Sequence, residues 1–148
     1  MPEPHSRYPV AIHWTSGKEG VASSADELPE LPVASPPSFG GPAGVWSPEH
    51  LFVLSAVACW MTTFRAIAEA SNFAPLAVDA EGEGFLEKGD DRRYSIPRLT
   101  LRPRVVVASE AERDKAMRLI EKAEQACLIA RSMRSEVTLE ATVEVREA

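Results

Sequence analysis

Strand-like and helix-like patterns alternate along this chain. Tyr8, Val10, Ile12 and Trp14 alternate with Pro9, Ala11 and His13, a period of two that predicts a strand. Thr15 to Gly20 reads as a turn, and Val21 to Ser24 as the returning strand. Five prolines and three glycines then interrupt every period between Leu28 and Gly44, which predicts a 17-residue loop or lid.

The strongest helix signal follows. Ser47 is a good N-cap, Pro48 suits the first helical position, and Glu49 complements the positive end of the helix dipole. The pattern predicts a helix to Ser71 or Asn72. Between Leu51 and Phe64 it has almost no polar side, so it needs cover all round, one face by a sheet and the other by a second helix or a second subunit.

Two more strands are expected after it. Leu76, Val78 and Ala80 lead into a turn at Lys88 to Asp91. Leu99, Leu101, Val105 and Val107 then form one face, with Arg98, Thr100, Arg102 and Arg104 on the other; Pro103 suggests an edge strand or a bulge. Ser109-Glu110-Ala111-Glu112 reads as a capping box. It opens a second helix with Ala116, Leu119, Ile120, Ala123 and Cys127 at helical spacing. Val137 to Val145 alternates cleanly as a last strand with one wet face. The expected order is β-β-α-β-β-α-β, an α+β chain with a largely antiparallel sheet and two central helices in one domain, residues 1–148.

Composition narrows the function classes. The formal net charge of −6 argues against nucleic acid or an anionic membrane surface as the main partner. The longest mostly apolar run, Leu51 to Phe64, has 14 residues, whereas a membrane span needs about 20. Met1 to Val10 lacks a basic start followed by an apolar run, so no secretory signal is read, and a cytoplasmic location is the default. In that compartment two cysteines are more often reactive than stapled.

Those cysteines, Cys59 and Cys127, lie 68 positions apart, one on each helix. Packed helices could bring them within bonding reach, and a thiolate oxidised by a peroxide condenses with a nearby thiol to a disulfide. Burial alone would leave Cys59 inert, so it needs a cation or a helix end close by; both cysteines could equally be small core residues. Glu49 lies about 15 Å up the helix axis from Cys59 and could reach it only across a dimer or through a basic residue; alternatively it serves the helix dipole. His5, His13 and His50 form no metal pattern with the cysteines. A Cys-His nucleophile pair would need His13 or His50 beside Cys59. The arginine face of the strand reads as solvated, and Gly82 and Gly84 lack the context of a phosphate loop.

Ser47-Pro48-Glu49-His50-Leu51-Phe52, followed by Ala58-Cys59, resembles the N/S-P-E-x-L and A-C stretch of the OsmC/Ohr family, the osmotically inducible and organic hydroperoxide resistance proteins. Ala123-Glu124-Gln125-Ala126-Cys127 resembles that family's second-cysteine helix, and the resemblance covers nearly the whole chain. It implies a peroxidase without a cofactor, in which Cys59 attacks the hydroperoxide, Cys127 resolves the sulfenic acid, and Glu49 orients a catalytic arginine. It also implies an intertwined homodimer, an organic hydroperoxide as substrate and an external dithiol as reductant. The family's arginine belongs to the first hairpin turn, where this chain offers Lys18, which lacks the planar fork. Many members have Cys-Pro where this chain has Cys127-Leu128. These departures leave open a second reading, an OsmC-like protein without peroxidase activity that binds a small apolar ligand or a partner.

Overall fold

The strand β5, Tyr94–Val107, organises the larger part of the chain. Its inward side chains, Leu99, Leu101, Val105 and Val107, are buried, as the alternation predicts. The structure, a computed structural model, describes residues 3 and 5–147, and its contacts gather into two compact units, Met1–Leu51 and Phe52–Ala148.

The first unit is a three-stranded antiparallel sheet of β1 (Ala11–Ser16), β2 (Glu19–Ser23) and β3 (Leu31–Ala34). The first strand starts three residues later than the alternation predicts. Its hairpin is also tighter, turning at Gly17-Lys18 with Gly17 at φ 50°. The expected loop is not structureless: β3 and a 3-10 turn, Pro37–Phe39, lie inside it. Pro32 is compatible with β3 because β3 is an edge strand, where a missing N–H costs no ladder bond.

The helix α1, Pro48–Ala70, begins as the sequence predicts. Ser47 Oγ accepts from the His50 N–H at 3.1 Å, an N-cap bond. Its other end is closed by Asn72 in the left-handed region, φ 53°. Ala56, Trp60, Phe64 and Ala68 form one buried stripe, while Leu54 and Met61 keep 40% and 39% of their surface exposed. The chain of the second unit therefore covers one face of an apolar helix and leaves another open. By length and composition α1 could also cross a membrane, since the helix runs on past the apolar stretch counted above. Trp60 and Phe64, however, face protein: Trp60 Nε1 donates to the carbonyl of Ile120 at 3.2 Å.

In the second unit β4 (Ala77–Lys88) pairs antiparallel with β5, and both are longer than the sequence suggests. Gly82 and Gly84 explain how α1 approaches β4. A Cβ at 82 would collide with Val57 Cγ2, and one at 84 would lie 2.6 Å from Val53 Cγ2. These glycines are packing sites between helix and sheet. Valine on a helix has little rotamer freedom to retreat, so Gly82→Ala is expected to lower stability by about 1–3 kcal/mol. The double variant with Val57→Ala should recover part of that loss. Urea midpoints of the three variants check it, and an unchanged midpoint for Gly82→Ala would refute the packing role.

The last strand of the sequence reading is two short ones, β6 (Glu136–Leu139) and β7 (Thr142–Val145), and both run parallel to β5. The largely antiparallel expectation holds for β1 to β5 only. Parallel neighbours need a crossover, which the segment of α2 (Arg113–Ala126) and α3 (Leu128–Ser132) supplies. The interruption between β6 and β7 has a specific cause. Leu101 pairs with Leu139 and Arg104 with Thr142, so the register continues without a slip. Pro103 faces the gap and has no N–H to donate. Pro103 is therefore neither at an edge nor at a bulge; it is buried in the central strand, where the break removes the need for its donor.

The arginine face of β5 is laced with carboxylates. Arg98 meets Glu87 at 3.1 Å, Arg102 bridges Glu83 and Glu140 at 3.2 Å each, and Arg104 lies 3.0 Å from Asp79 and 2.6 Å from Glu144. All are solvated, so each pair stabilises little. The expected capping box does not form. Ser109 makes no side-chain cap bond, a 3-10 turn occupies Glu110–Glu112, and Glu110 pairs with Arg113 at 2.7 Å.

Candidate active site

Cys59 lies on the buried half of α1, half-exposed itself. Cys127 is fully buried, between α2 and α3. The second helix does not continue through Cys127. That residue is extended, φ −62° and ψ 111°, and acts as the N-cap of α3, its sulfur accepting from the Ala130 N–H at 3.5 Å. The break turns the first amides of α3 toward α1. The two cysteines are free thiols placed side by side, near enough to hydrogen-bond.

The pair is electrostatically asymmetric. Burial pushes the Cys59 thiol up. It is outweighed by hydrogen bonds from the Cys127 side chain, the backbone of Ile129, the Thr63 hydroxyl and the backbone of Leu128, so Cys59 ends below the ordinary thiol range. Burial also raises Cys127, and donating to Cys59 raises it further; the amides of Ala130 and Ile129 only partly offset this, and Cys127 ends above that range. Neighbouring groups whose pKa values are driven apart divide the roles between them. Cys59 is the more acidic thiol of the pair, and Cys127 the less acidic one, which donates to it.

The groups that hold down the Cys59 pKa are hydrogen-bond donors, with no charged side chain among them. The sequence asks for a cation or a helix end, and the family resemblance offers Lys18 as the cation. Lys18 belongs to the first unit, where its Nζ donates to the carbonyl of Phe39 at 2.6 Å. Glu49 is in the same unit, and its Oε1 is buried with no hydrogen-bond partner among the described residues. Lys18 and Glu49 form no ion pair with each other among the described residues. The structure thus joins Cys59 with Cys127 and leaves Glu49 with an unmet acceptor.

Thr63 and the amides of Leu128 and Ile129 are the site groups the sequence reading missed. Thr63 was detectable, since it lies four positions after Cys59 and shares its helix face. The amides are not singled out by the sequence, because Cys127 to Met133 reads equally as more of the second helix or as a short separate turn. His50 is committed to the start of α1, where its Nδ1 shares a 2.6 Å hydrogen bond with Ser47 Oγ and its ring meets Trp46 edge to face at 6.3 Å. A group of three or more metal-ligating side chains is absent among the described residues.

Known proteins point the same way. The family described as OsmC-like protein matches residues 41–142. An uncharacterized protein of Bacillus subtilis, YmaD, is 24% identical over 142 residues, 93% of each chain. Among solved structures, an OsmC-like protein of unknown function from Vibrio cholerae superposes with a TM-score of 0.82 at 20% identity, covering 92% of this chain and 99% of that one. An organic hydroperoxide resistance protein OsmC from Legionella pneumophila gives 0.77 at 22% identity, over 97% of this chain and 100% of that one. At these identities the superpositions establish the fold, and the match over residues 41–142 establishes the family: this chain belongs to the OsmC-like proteins.

Proposed function

We propose that this protein is a thiol peroxidase that reduces organic hydroperoxides in the cytoplasm. The observation that carries the reading is the adjacency of a low-pKa cysteine and a neutral buried one. The Cys59 thiolate attacks the terminal oxygen of a hydroperoxide ROOH. The O–O bond breaks, Cys59 becomes a sulfenic acid, and the alkoxide leaves and takes a proton to form ROH. Cys127, deprotonated in the step, attacks the Cys59 sulfur; a disulfide forms and water departs. An external dithiol then reduces the disulfide, is itself oxidised to a disulfide, and returns both thiols. No metal or organic cofactor enters the cycle. The apolar residues around Cys59 on α1 favour an alkyl hydroperoxide over hydrogen peroxide. The names of organic hydroperoxide resistance proteins among the structural neighbours support the same chemistry.

The working unit in this reading is a homodimer. Leu54 and Met61 leave part of α1 uncovered within the second unit, and the buried Glu49 oxygen lacks a partner among the described residues; a second copy would meet both needs. Lys18 is the residue of this chain that would approach that carboxylate, on leaving the Phe39 carbonyl. Native mass spectrometry before and after one equivalent of cumene hydroperoxide tests both parts. A dimer that loses two hydrogens per chain is expected, and a dimer or monomer with no mass change would end the peroxidase reading.

A further inference from the structure

The contact of Thr63 with the reacting sulfur assigns it a role the family resemblance does not supply. Its Oγ1 lies 3.7 Å from Cys59 Sγ, one helical turn further along α1. A threonine in a helix commonly gives its hydroxyl to the carbonyl one turn back. Thr62 does so, donating to the Cys59 carbonyl at 3.2 Å, whereas Thr63 turns to the sulfur. Once Cys59 ionises it has no proton, so the hydroxyl must be the donor. A contact of that kind favours the charged form.

The sulfur is also met from α3, by the backbone of Ile129 and Leu128. Cys127, as N-cap, leaves the first amides of that helix without intrahelical acceptors. The Leu128 amide is available because residue 128 is not proline. These donors and the Thr63 hydroxyl are neutral hydrogen-bond partners of Cys59.

We propose that Thr63 is a catalytic residue of this protein, whose hydroxyl, together with the Leu128 amide, stabilises the Cys59 thiolate by neutral hydrogen bonds where a basic side chain would otherwise do so. The thiol proton goes to water on ionisation. The proposal refines the peroxidase reading, yet it concerns only the acidity of Cys59 and is read without any peroxide.

The test is the pH dependence of iodoacetamide alkylation, with the Cys59 and Cys127 peptides quantified separately by mass spectrometry. Thr63→Val keeps the shape and removes the donor. It is expected to raise the Cys59 midpoint by about 0.5–1 pH unit, a three- to tenfold slower alkylation below the midpoint. Thr63→Ser restores the hydroxyl and should restore the midpoint. Leu128→Pro removes one amide. The fold tolerates it, because the Leu128 side chain is exposed, Cys127 is already extended, and proline is favoured at a first helical position; it should raise the midpoint by a similar amount. An unchanged midpoint in Thr63→Val overturns the proposal whatever Leu128→Pro does. A shifted midpoint in a protein that consumes no hydroperoxide would sink the peroxidase reading and leave this one standing.

Discussion

Replacing Trp60 with alanine is expected to lower the free energy of unfolding by about 3–5 kcal/mol, the range for deleting a large buried aromatic. Trp60 is fully buried on α1 and stacks on Phe64, with ring centroids 5.1 Å apart and planes 20° from parallel. Its indole N–H reaches across to the Ile120 carbonyl of α2. One side chain thus joins both long helices by packing and by a hydrogen bond. Trp60→Phe retains most of the volume and loses only the donor, so its cost should be near 1–2 kcal/mol. Chemical denaturation of both variants separates the two contributions. A loss below about 1 kcal/mol for Trp60→Ala would show that the core collapses around the gap, since single domains hold only about 5–15 kcal/mol in reserve.

The residues that the sequence placed correctly are those whose local chemistry and tertiary setting agree. Ser47-Pro48 starts α1 where a cap and a first-turn proline dictate. The alternation through Leu99 and Leu101 and through Val105 and Val107 gives the buried face of β5, and Ala116, Leu119, Ile120 and Ala123 give the buried face of α2. The misreadings share a cause. Pro32 reads as part of a loop and Pro103 as an edge or a bulge, although the cost of a proline depends on which way the missing N–H would point. Pro32 lies in an edge strand, and Pro103 faces the gap between β6 and β7, so neither breaks an element. That dependence is tertiary and leaves no trace in a local window.

The site shows the same division. Two cysteines on two helices suggest a pair, and the family resemblance agrees. The source of activation was not legible. The sequence asks for a cation or a helix end and does not say which, since every residue but proline carries a backbone amide. Only the extended backbone at Cys127 shows that α2 ends there and that new amide donors begin one residue later. The packing role of Gly82 was hidden in the same way, since the residue that excludes a side chain there is Val57, on another element.

Cys59→Ser and Cys127→Ser are expected to fail differently, and the contrast tests the division of roles between two thiols. A serine at 59 is not ionised near neutral pH, so hydroperoxide consumption with a dithiol should fall by about 10³-fold or more, to background. A serine at 127 leaves the nucleophile in place and keeps a hydroxyl that can donate to it. One equivalent of hydroperoxide should still be consumed quickly. Steady turnover should then drop about tenfold or more, because the sulfenic acid must wait for an external thiol instead of condensing with its neighbour. Excess peroxide meanwhile drives Cys59 on to the sulfinic acid, two oxygens heavier than the thiol. Stopped-flow consumption and intact mass read these outcomes together. Equal steady rates in Cys127→Ser and wild type would remove Cys127 from the cycle. Equal rates in Cys59→Ser and wild type would remove the peroxidase cycle itself, leaving the lowered pKa of Cys59 to be explained by packing alone.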